Sequence, residues 1–354
     1  STAGRADAHK VGIKWRPTDW LMLRGTTAQS VRAPNIGELF LPQVQTNQLL
    51  LDPCDIDNVN LGTANRQANC AAALTAAGVN PATFQNTNSG SVQGRIGGNP
   101  DLDVETAETV TYGFVLSVPP LRGFSLAVDY YEIKLTDAIQ FFTAQTIVDQ
   151  CYDLPAGNQF CDLVTRDDDP GAGRGFIDSF QQFALNVSRY ETAGYDFSIR
   201  YALDPADFGI QRDLGRFNFA LVGSKLDTLE FIELDQPNNQ LGFPQAPEWV
   251  ASFDATWSWR DFVVNYGFTY YDETYRIDPI TLAAEPDYVA PDLRLYEARK
   301  QHDIQARWAV NDAVTVYGGI TNLTDQKPAP DLPGTPIGSQ GRSFYVGAAM
   351  RFGQ

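Results

Sequence analysis

Four cysteines stand in two close pairs, Cys54 with Cys70 and Cys151 with Cys161, each in a stretch rich in Asp, Asn, Gly and Ala. Paired thiols either ligate zinc or close a disulfide. A zinc site would draw on nearby His, and none lies near either pair. Two local disulfides, Cys54–Cys70 and Cys151–Cys161, made in an oxidising compartment, are therefore expected, with isolated buried thiols as the alternative. The acidic run Asp167, Asp168, Asp169 offers hard oxygen donors suited to Ca²⁺. Its competing reading is a solvated loop tip, and Asp55 and Asp57 beside Cys54 read the same way. No other metal or cofactor is expected. Tyr270, Tyr271 and Tyr275 crowd before a long loop, where they can stack on a sugar or catechol ring or serve as interface aromatics. Catalysis has little to work with. His9 and His302 are the only histidines, and His302 has no serine at nucleophile spacing. A Ser–His hydrolase is not expected, nor is any catalytic residue.

The elements that must position these residues are strands. The chain has 354 residues with 12% aromatics, 29 Gly and 21 Pro, a composition of strands and turns rather than helices. Its 43 Asp and Glu against 26 Lys and Arg leave a net charge of −17, which argues against nucleic acid as a partner. No run of 18 apolar residues exists, so no transmembrane helix is expected, but barrel strands need only about 9–11 residues of alternating pattern. The sequence begins at Ser1 rather than Met and shows no signal peptide, which reads as a processed chain or a piece of a longer one. Apolar residues recur at every second position along most of it. Eleven strands are expected at roughly 8–16, 20–32, 107–118, 122–137, 178–203, 214–228, 247–259, 261–275, 297–310, 312–323 and 341–352. The fifth keeps one parity from Phe183 to Tyr201 and reads as a single strand, with a hairpin near Ser188–Glu191 as the alternative.

The connections fall into two classes by strand parity. Short ones lie at Pro17–Asp19, Pro119–Leu121, a middling 204–213, Arg260 and Asn311. Long ones span about 33–106, 138–177, 229–246, 276–296 and 324–340. Short turns at one end and long loops at the other mark an outer-membrane barrel; a soluble sandwich has no reason to sort its loops this way. Trp15, Trp20, Trp257, Trp259 and Trp308 all gather at the short-turn end, as an aromatic girdle at a membrane interface would. In the last strand Phe344, Val346, Ala348, Met350 and Phe352 form the apolar stripe, expected to face lipid, while Tyr345, Gly347, Ala349 and Arg351 fall on the lumen parity. The expected fold is all-β, a transmembrane antiparallel barrel with about 11 strands in this chain.

Several stretches, in order, resemble one family. "SVRAPNIGELF" (Ser30–Phe40) resembles a strand-to-loop step in which Pro34, lacking an N–H, ends the ladder. "GGNPDLDVETAETVTYGF" (Gly97–Phe114) is similar to a turn leading into the next strand, with Val104 where that family usually carries Pro. "FSLAVDYYEIKLTDAI" (Phe124–Ile139), "ETAGYDFSIRY" (Glu191–Tyr201), "GGITNLTDQKPA" (Gly318–Ala329) and "GRSFYVGAAMRF" (Gly341–Phe352) continue the series. The family is that of TonB-dependent receptors, the gated uptake barrels of Gram-negative outer membranes, and the resemblance is to their C-terminal half. Gly353 and Gln354 follow a Phe that usually ends the chain.

The resemblance implies about 22 strands in all, a plug domain upstream that these residues do not include, and energising by TonB and an inner-membrane complex through that plug. It implies capture of a scarce nutrient, whether saccharide, peptide, siderophore or vitamin-type, at the extracellular loops. Acidic loops with few Lys favour neutral saccharides or peptides over anionic siderophores. Eleven is an odd count, and an antiparallel barrel closes only on an even one, so the remaining strands are expected elsewhere in sequence or on another chain. A self-contained porin allowing passive diffusion is the alternative function; it lacks this order of motifs.

Overall fold

The computed structural model describes residues 6–233, 236–329, 331 and 341–351. Phe352 of the terminal stripe lies outside them. The chain divides into two compact units.

The first unit is a sheet. Its strands are β1 (His9–Thr18), β2 (Leu21–Arg32), β3 (Glu105–Leu116), β4 (Phe124–Phe141), β5 (Ala184–Leu203), β6 (Arg216–Glu233), β7 (Trp249–Trp259), β8 (Phe262–Tyr271), β9 (Arg299–Ala309), β10 (Val314–Thr321) and β11 (Ser343–Met350). Each hydrogen-bonds to the next in sequence, and Gln236–Asn239 folds back on the end of β6. β1 and β11 form the two edges and do not pair with each other among the described residues. Two expected strands are corrected. The stretch 178–203 breaks at Phe183: Ile177–Gln182 joins a different sheet, and β5 then runs unbroken through Ser188–Glu191. The single parity runs only from Phe183 to Tyr201; before it Ile177 and Phe180 stand on opposite parities, so alternation gives no support to the stretch ahead of Phe183. The stretch 261–275 ends at Tyr271, and Thr274–Tyr275 pairs with Leu295–Tyr296 instead.

Register stacks the apolar residues into rows. Phe219, Ala255, Tyr266, Ile304, Ile320 and Phe344 are successive cross-strand partners, as are Phe217, Trp257, Val264, Ala306, Gly318 and Val346. A slip of one residue anywhere would flip a whole strand to the other side. The opposite side carries Asp254, Gly267 and Asp303 as one row. Arg24 on β2 reaches Asp129 on β4 with Nε 2.6 Å from Oδ1. Gly113 on β3 leaves room for this, since a Cβ there would sit 2.4 Å from the same carboxylate. On the apolar side, rings cluster near the short turns: Phe217–Trp257 at 6.5 Å, Trp257–Trp259 at 6.1 Å and Phe262–Trp308 at 5.6 Å. Trp15 is exposed on β1, and Trp20 sits in the turn that follows. Further along the strands Tyr130 lies between Tyr112 (4.9 Å) and Tyr195 (5.1 Å). Beyond Tyr130 on that parity come Glu132 and Lys134, 2.8 Å apart. Phe344, Val346 and Met350 are 70, 83 and 58% exposed, an apolar surface left largely open among the described residues.

The second unit, a folded body, takes in residues 31–106 and 136–188: the connections 33–106 and 138–177, which the sequence shows only as loops, together with the adjoining ends of β2, β3, β4 and β5. It contains α1 (Ile36–Phe40), α2 (Ala64–Ala76), α3 (Ala144–Asp153) and a four-stranded sheet in the order Val44–Gln48, Val92–Ile96, Ile177–Gln182, Val164–Arg166. Thr63 and Thr143 cap α2 and α3 through their hydroxyls. Leu74, Phe84, Ile147, Val148, Phe160 and Phe180 are buried in it. Gly94 lets a strand lie against the Phe180 ring, where a Cβ would come within 2.4 Å. Arg66 on α2 donates from Nε to Asp153 Oδ1 at 2.7 Å, tying it to the end of α3.

The deepest polar feature is an ion pair. Arg166 donates to both oxygens of the fully buried Asp52, at 2.8 and 2.6 Å. Its remaining donors reach Tyr152 Oη and the Gly175 carbonyl, both at 2.6 Å. Burial pulls the guanidinium down, but Asp52 outweighs it and holds Arg166 above its ordinary value. Asp52 also accepts from the Cys54 amide at 2.9 Å, so the pair fixes one end of a disulfide loop.

Two outcomes follow. Val346→Arg or Phe253→Arg, on the apolar side, should each cost about 2–4 kcal/mol of insertion or stability in the membrane, and Tyr345→Arg or Asp254→Arg far less. Heat-modifiability on gels after outer-membrane extraction measures this; equal losses on both parities would refute the assignment of faces. Asp52→Ala should destabilise the folded body by about 3–5 kcal/mol because it strands Arg166, while the double variant Asp52→Leu/Arg166→Met should recover most of that. Hydrogen exchange at α2 and α3 reads the difference.

Candidate functional site

The structure joins Cys54 to Cys70 and Cys151 to Cys161. The first bridge pins the segment after Asp52 to α2, and the second pins α3 to the turn at Cys161. Chain-entropy estimates give each short ring roughly 2–3 kcal/mol. Both lie in the folded body, and none of the four cysteines lines its cleft.

That cleft has a volume of about 860 Å³. Asp101, Asp103, Asp137 and Asp162 line it with Gln43, Gln159 and Gln181, and no Lys or Arg does so among the described residues. Its wall is held by two asparagines. Asn186 Nδ2 donates to the carbonyls of Asp103 (3.1 Å) and Asp137 (2.7 Å), and its Oδ1 accepts from the Asp103 amide at 2.9 Å. Asn99 donates to the Ala184 carbonyl at 2.9 Å and accepts from the Asp101 amide at 3.0 Å. The Gly98–Asp101 turn chemistry legible in sequence is thus a wall of this cleft. Asn186 begins an Asn-Val-Ser triplet, but its amide is committed and Ser188 is buried. A surface of acceptors without cations suits a hydroxyl-rich or cationic ligand and repels an anionic one.

A second cleft, about 470 Å³, lies in the sheet unit, lined by Arg276, Arg299 and Lys327, by Asp292, Glu297 and Asp331, and by Tyr296 and Gln326. Arg276 pairs with Asp331 at 2.7 Å and lies over the Tyr296 ring at 5.6 Å. Tyr296 Oη donates to Asp331 at 3.2 Å.

Tyr270, Tyr271 and Tyr275, read as stacking residues or interface aromatics, do not form one platform. Tyr270 and Tyr271 are consecutive on β8 and so point to opposite faces. Tyr270 donates to Asp272 at 2.8 Å, and Tyr271 is the cross-strand partner of Arg299. Tyr275 packs edge-on against Phe243 at 5.7 Å, beside Gly242. Asp167, Asp168 and Asp169 do not converge either. Asp167 Oδ1 accepts from the Asp169 amide at 2.9 Å, Asp168 and Asp169 are exposed, and no group of three acidic, Cys or His residues that could hold a metal occurs among the described residues. Sequence reasoning missed Arg299 and the carboxylates Asp101, Asp103, Asp137 and Asp162, because they meet only through contacts between distant segments. The sole local signal is the Gly-Asn-Pro-Asp turn.

Among solved structures the chain is similar to the siderophore receptor PirA of Acinetobacter baumannii, at 14% identity and a TM-score of 0.54, covering 99% of this chain and 42% of that one. It is also similar to the ferric enterobactin receptor of Pseudomonas aeruginosa, at 11% identity and 0.54, covering 99% and 41%. The FrpB iron transporter of Neisseria meningitidis follows at 11% and 0.52, covering 98% and 39%. The chain thus spans about two fifths of the length of these structures, and at such identities the likeness is one of fold. No curated protein matches it in sequence. The profile described as TonB dependent receptor-like, beta-barrel matches residues 2–323. The chain belongs to the TonB-dependent receptor β-barrel family of the Gram-negative outer membrane.

Proposed function

We propose that this chain forms part of the barrel of an outer-membrane receptor that takes up a scarce nutrient in a TonB-dependent manner. The observation that carries the reading is the asymmetry between the two ends of the sheet. One end has tight turns, down to the two residues Arg260–Asp261 between β7 and β8. The other bears connections long enough to fold into a disulfide-bridged body with its own core. Passive diffusion does not need such a body; capture of a ligand does.

The partners follow from the same reading. Lipid meets the side bearing Phe344, Val346, Ala348 and Met350, and Trp15, Trp20, Trp257, Trp259 and Trp308 mark the interface nearer the short turns. The edge strands β1 and β11 would each leave a row of backbone groups unpaired in hydrocarbon, at several kcal/mol per group. Further strands are therefore proposed to pair with them, bringing the chain's eleven toward about 22 around a plug that couples to TonB and the inner-membrane complex. The ligand is a small nutrient, and the cation-free cleft supports a saccharide or peptide.

The test compares the complete receptor with and without TonB. Ligand-dependent growth or uptake should vanish in a strain lacking TonB and on collapse of the proton-motive force. In liposomes the purified receptor should show no steady open conductance. Uptake that persists without TonB, together with an open channel, would establish the porin instead.

A further inference from the structure

Arg299 opens β9 on the parity of Gln301 and Asp303, opposite the apolar stripe of Ile304, Ala306 and Trp308. It is only 7% exposed, and its Nη1 is buried without a hydrogen-bond partner among the described residues. The other charges lining the same cleft are engaged elsewhere or stand in water. Asp331 is held by Arg276 and Tyr296, and Lys327 pairs with Asp325 at 2.9 Å. Asp292 and Glu297 are exposed, and neither forms an ion pair with Arg299. A buried guanidinium without an acceptor carries a desolvation cost of several kcal/mol unless something else supplies the counter-charge.

The cleft around it is built rather than incidental. Asn322, itself buried, accepts from the Gln326 amide at 2.9 Å and donates to the Gln326 carbonyl at 2.9 Å. Gln326 in turn accepts from the Lys300 amide at 2.6 Å and donates to the Ala298 carbonyl at 3.1 Å. The backbone on either side of Arg299 is therefore clamped to the loop that walls the cleft.

We propose that Arg299 is a binding residue for an anionic oxygen group, a carboxylate or phosphate carried by a small ligand, seated in the cleft of Arg276, Tyr296, Gln326 and Lys327. A guanidinium presents paired donors that match either group bidentately. The inference rests on the receptor reading and deepens it: a ligand with a carboxylate, such as a peptide, meets the requirement, and a neutral saccharide does not. A lipid headgroup is not the source, because Arg299 sits on the parity opposite the apolar side.

The experiment uses the complete receptor purified in detergent. Citrate and inorganic phosphate are titrated separately by calorimetry, with NaCl holding ionic strength constant. At least one should bind saturably at one site, and which of them does tells carboxylate from phosphate. Arg299→Gln should weaken that binding by about tenfold or more, Arg299→Lys by less, and Lys327→Gln only slightly. A readout on the unaltered protein covers the case in which Arg299→Gln does not fold: phenylglyoxal should modify Arg299, mapped by mass spectrometry, and the binding anion should protect it. No saturable binding of either anion, wild-type affinity in Arg299→Gln, or modification of Arg299 that the anion leaves unchanged would each overturn the proposal. Failure here with intact TonB-dependent uptake leaves the receptor reading standing. Loss of that reading with anion binding intact leaves the site standing.

Discussion

Backbone hydrogen bonding without water is the constraint from which the rest of the sheet follows. In hydrocarbon an unpaired N–H or C=O has no alternative partner, so each strand must be laddered along its length. Laddering fixes register, and register fixes which residues share a side. The row from Phe219 to Phe344 and the row from Asp254 to Asp303 are two faces of that one constraint. The same logic accounts for Gly113, whose lack of a side chain lets Arg24 and Asp129 meet across a strand. On the polar side, ion pairs compensate charges that the other side would have to exclude.

Where the strands leave the membrane, the constraint changes and so does the architecture. The long connections have water on offer, and they are held by different means. The Asp52–Arg166 pair is satisfied on every side by Tyr152, the Gly175 carbonyl and the Cys54 amide. Each partner removed leaves the other's charge buried, which makes the pair a device for a single arrangement rather than a large source of stability. The disulfides reduce the freedom of the unfolded loops, and α2 and α3 supply the apolar surface that a loop by itself lacks. The result is a body firm enough to keep a cleft open with its acceptors in place.

The two clefts solve opposite electrostatic problems. The cleft in the folded body gathers carboxylates and amides and holds no cation. The one at the start of β9 contains a buried guanidinium whose Nη1 has no partner among the described residues. Neither character could be guessed from the net charge of −17, which describes the whole chain and not any one surface.

The sequence by itself determined the all-β class, the sidedness of the strands, the unequal ends and the cysteine partners. These are local properties: alternation has a period of two, and turns carry Gly, Pro, Asn and Asp at fixed offsets. Phe344, Val346 and Met350 declare their face within nine residues. Tertiary structure alone decided the rest. The Ala-rich run that became α2 has too weak an apolar periodicity to announce a helix, and its burial depends on α3 some eighty residues away. The break at Phe183 was hidden because Ile177–Gln182 is a strand directly ahead of β5, and only its pairing with Val92–Ile96 separates the two. Tyr270, Tyr271 and Tyr275 looked like one platform because they are close in sequence, but a strand sends neighbours to opposite sides. Arg299 looked like any charged residue at the start of a strand. Its neighbours Ala298 and Lys300 are tied to Gln326, which Asn322 holds in turn, and only the folded chain brings those residues together.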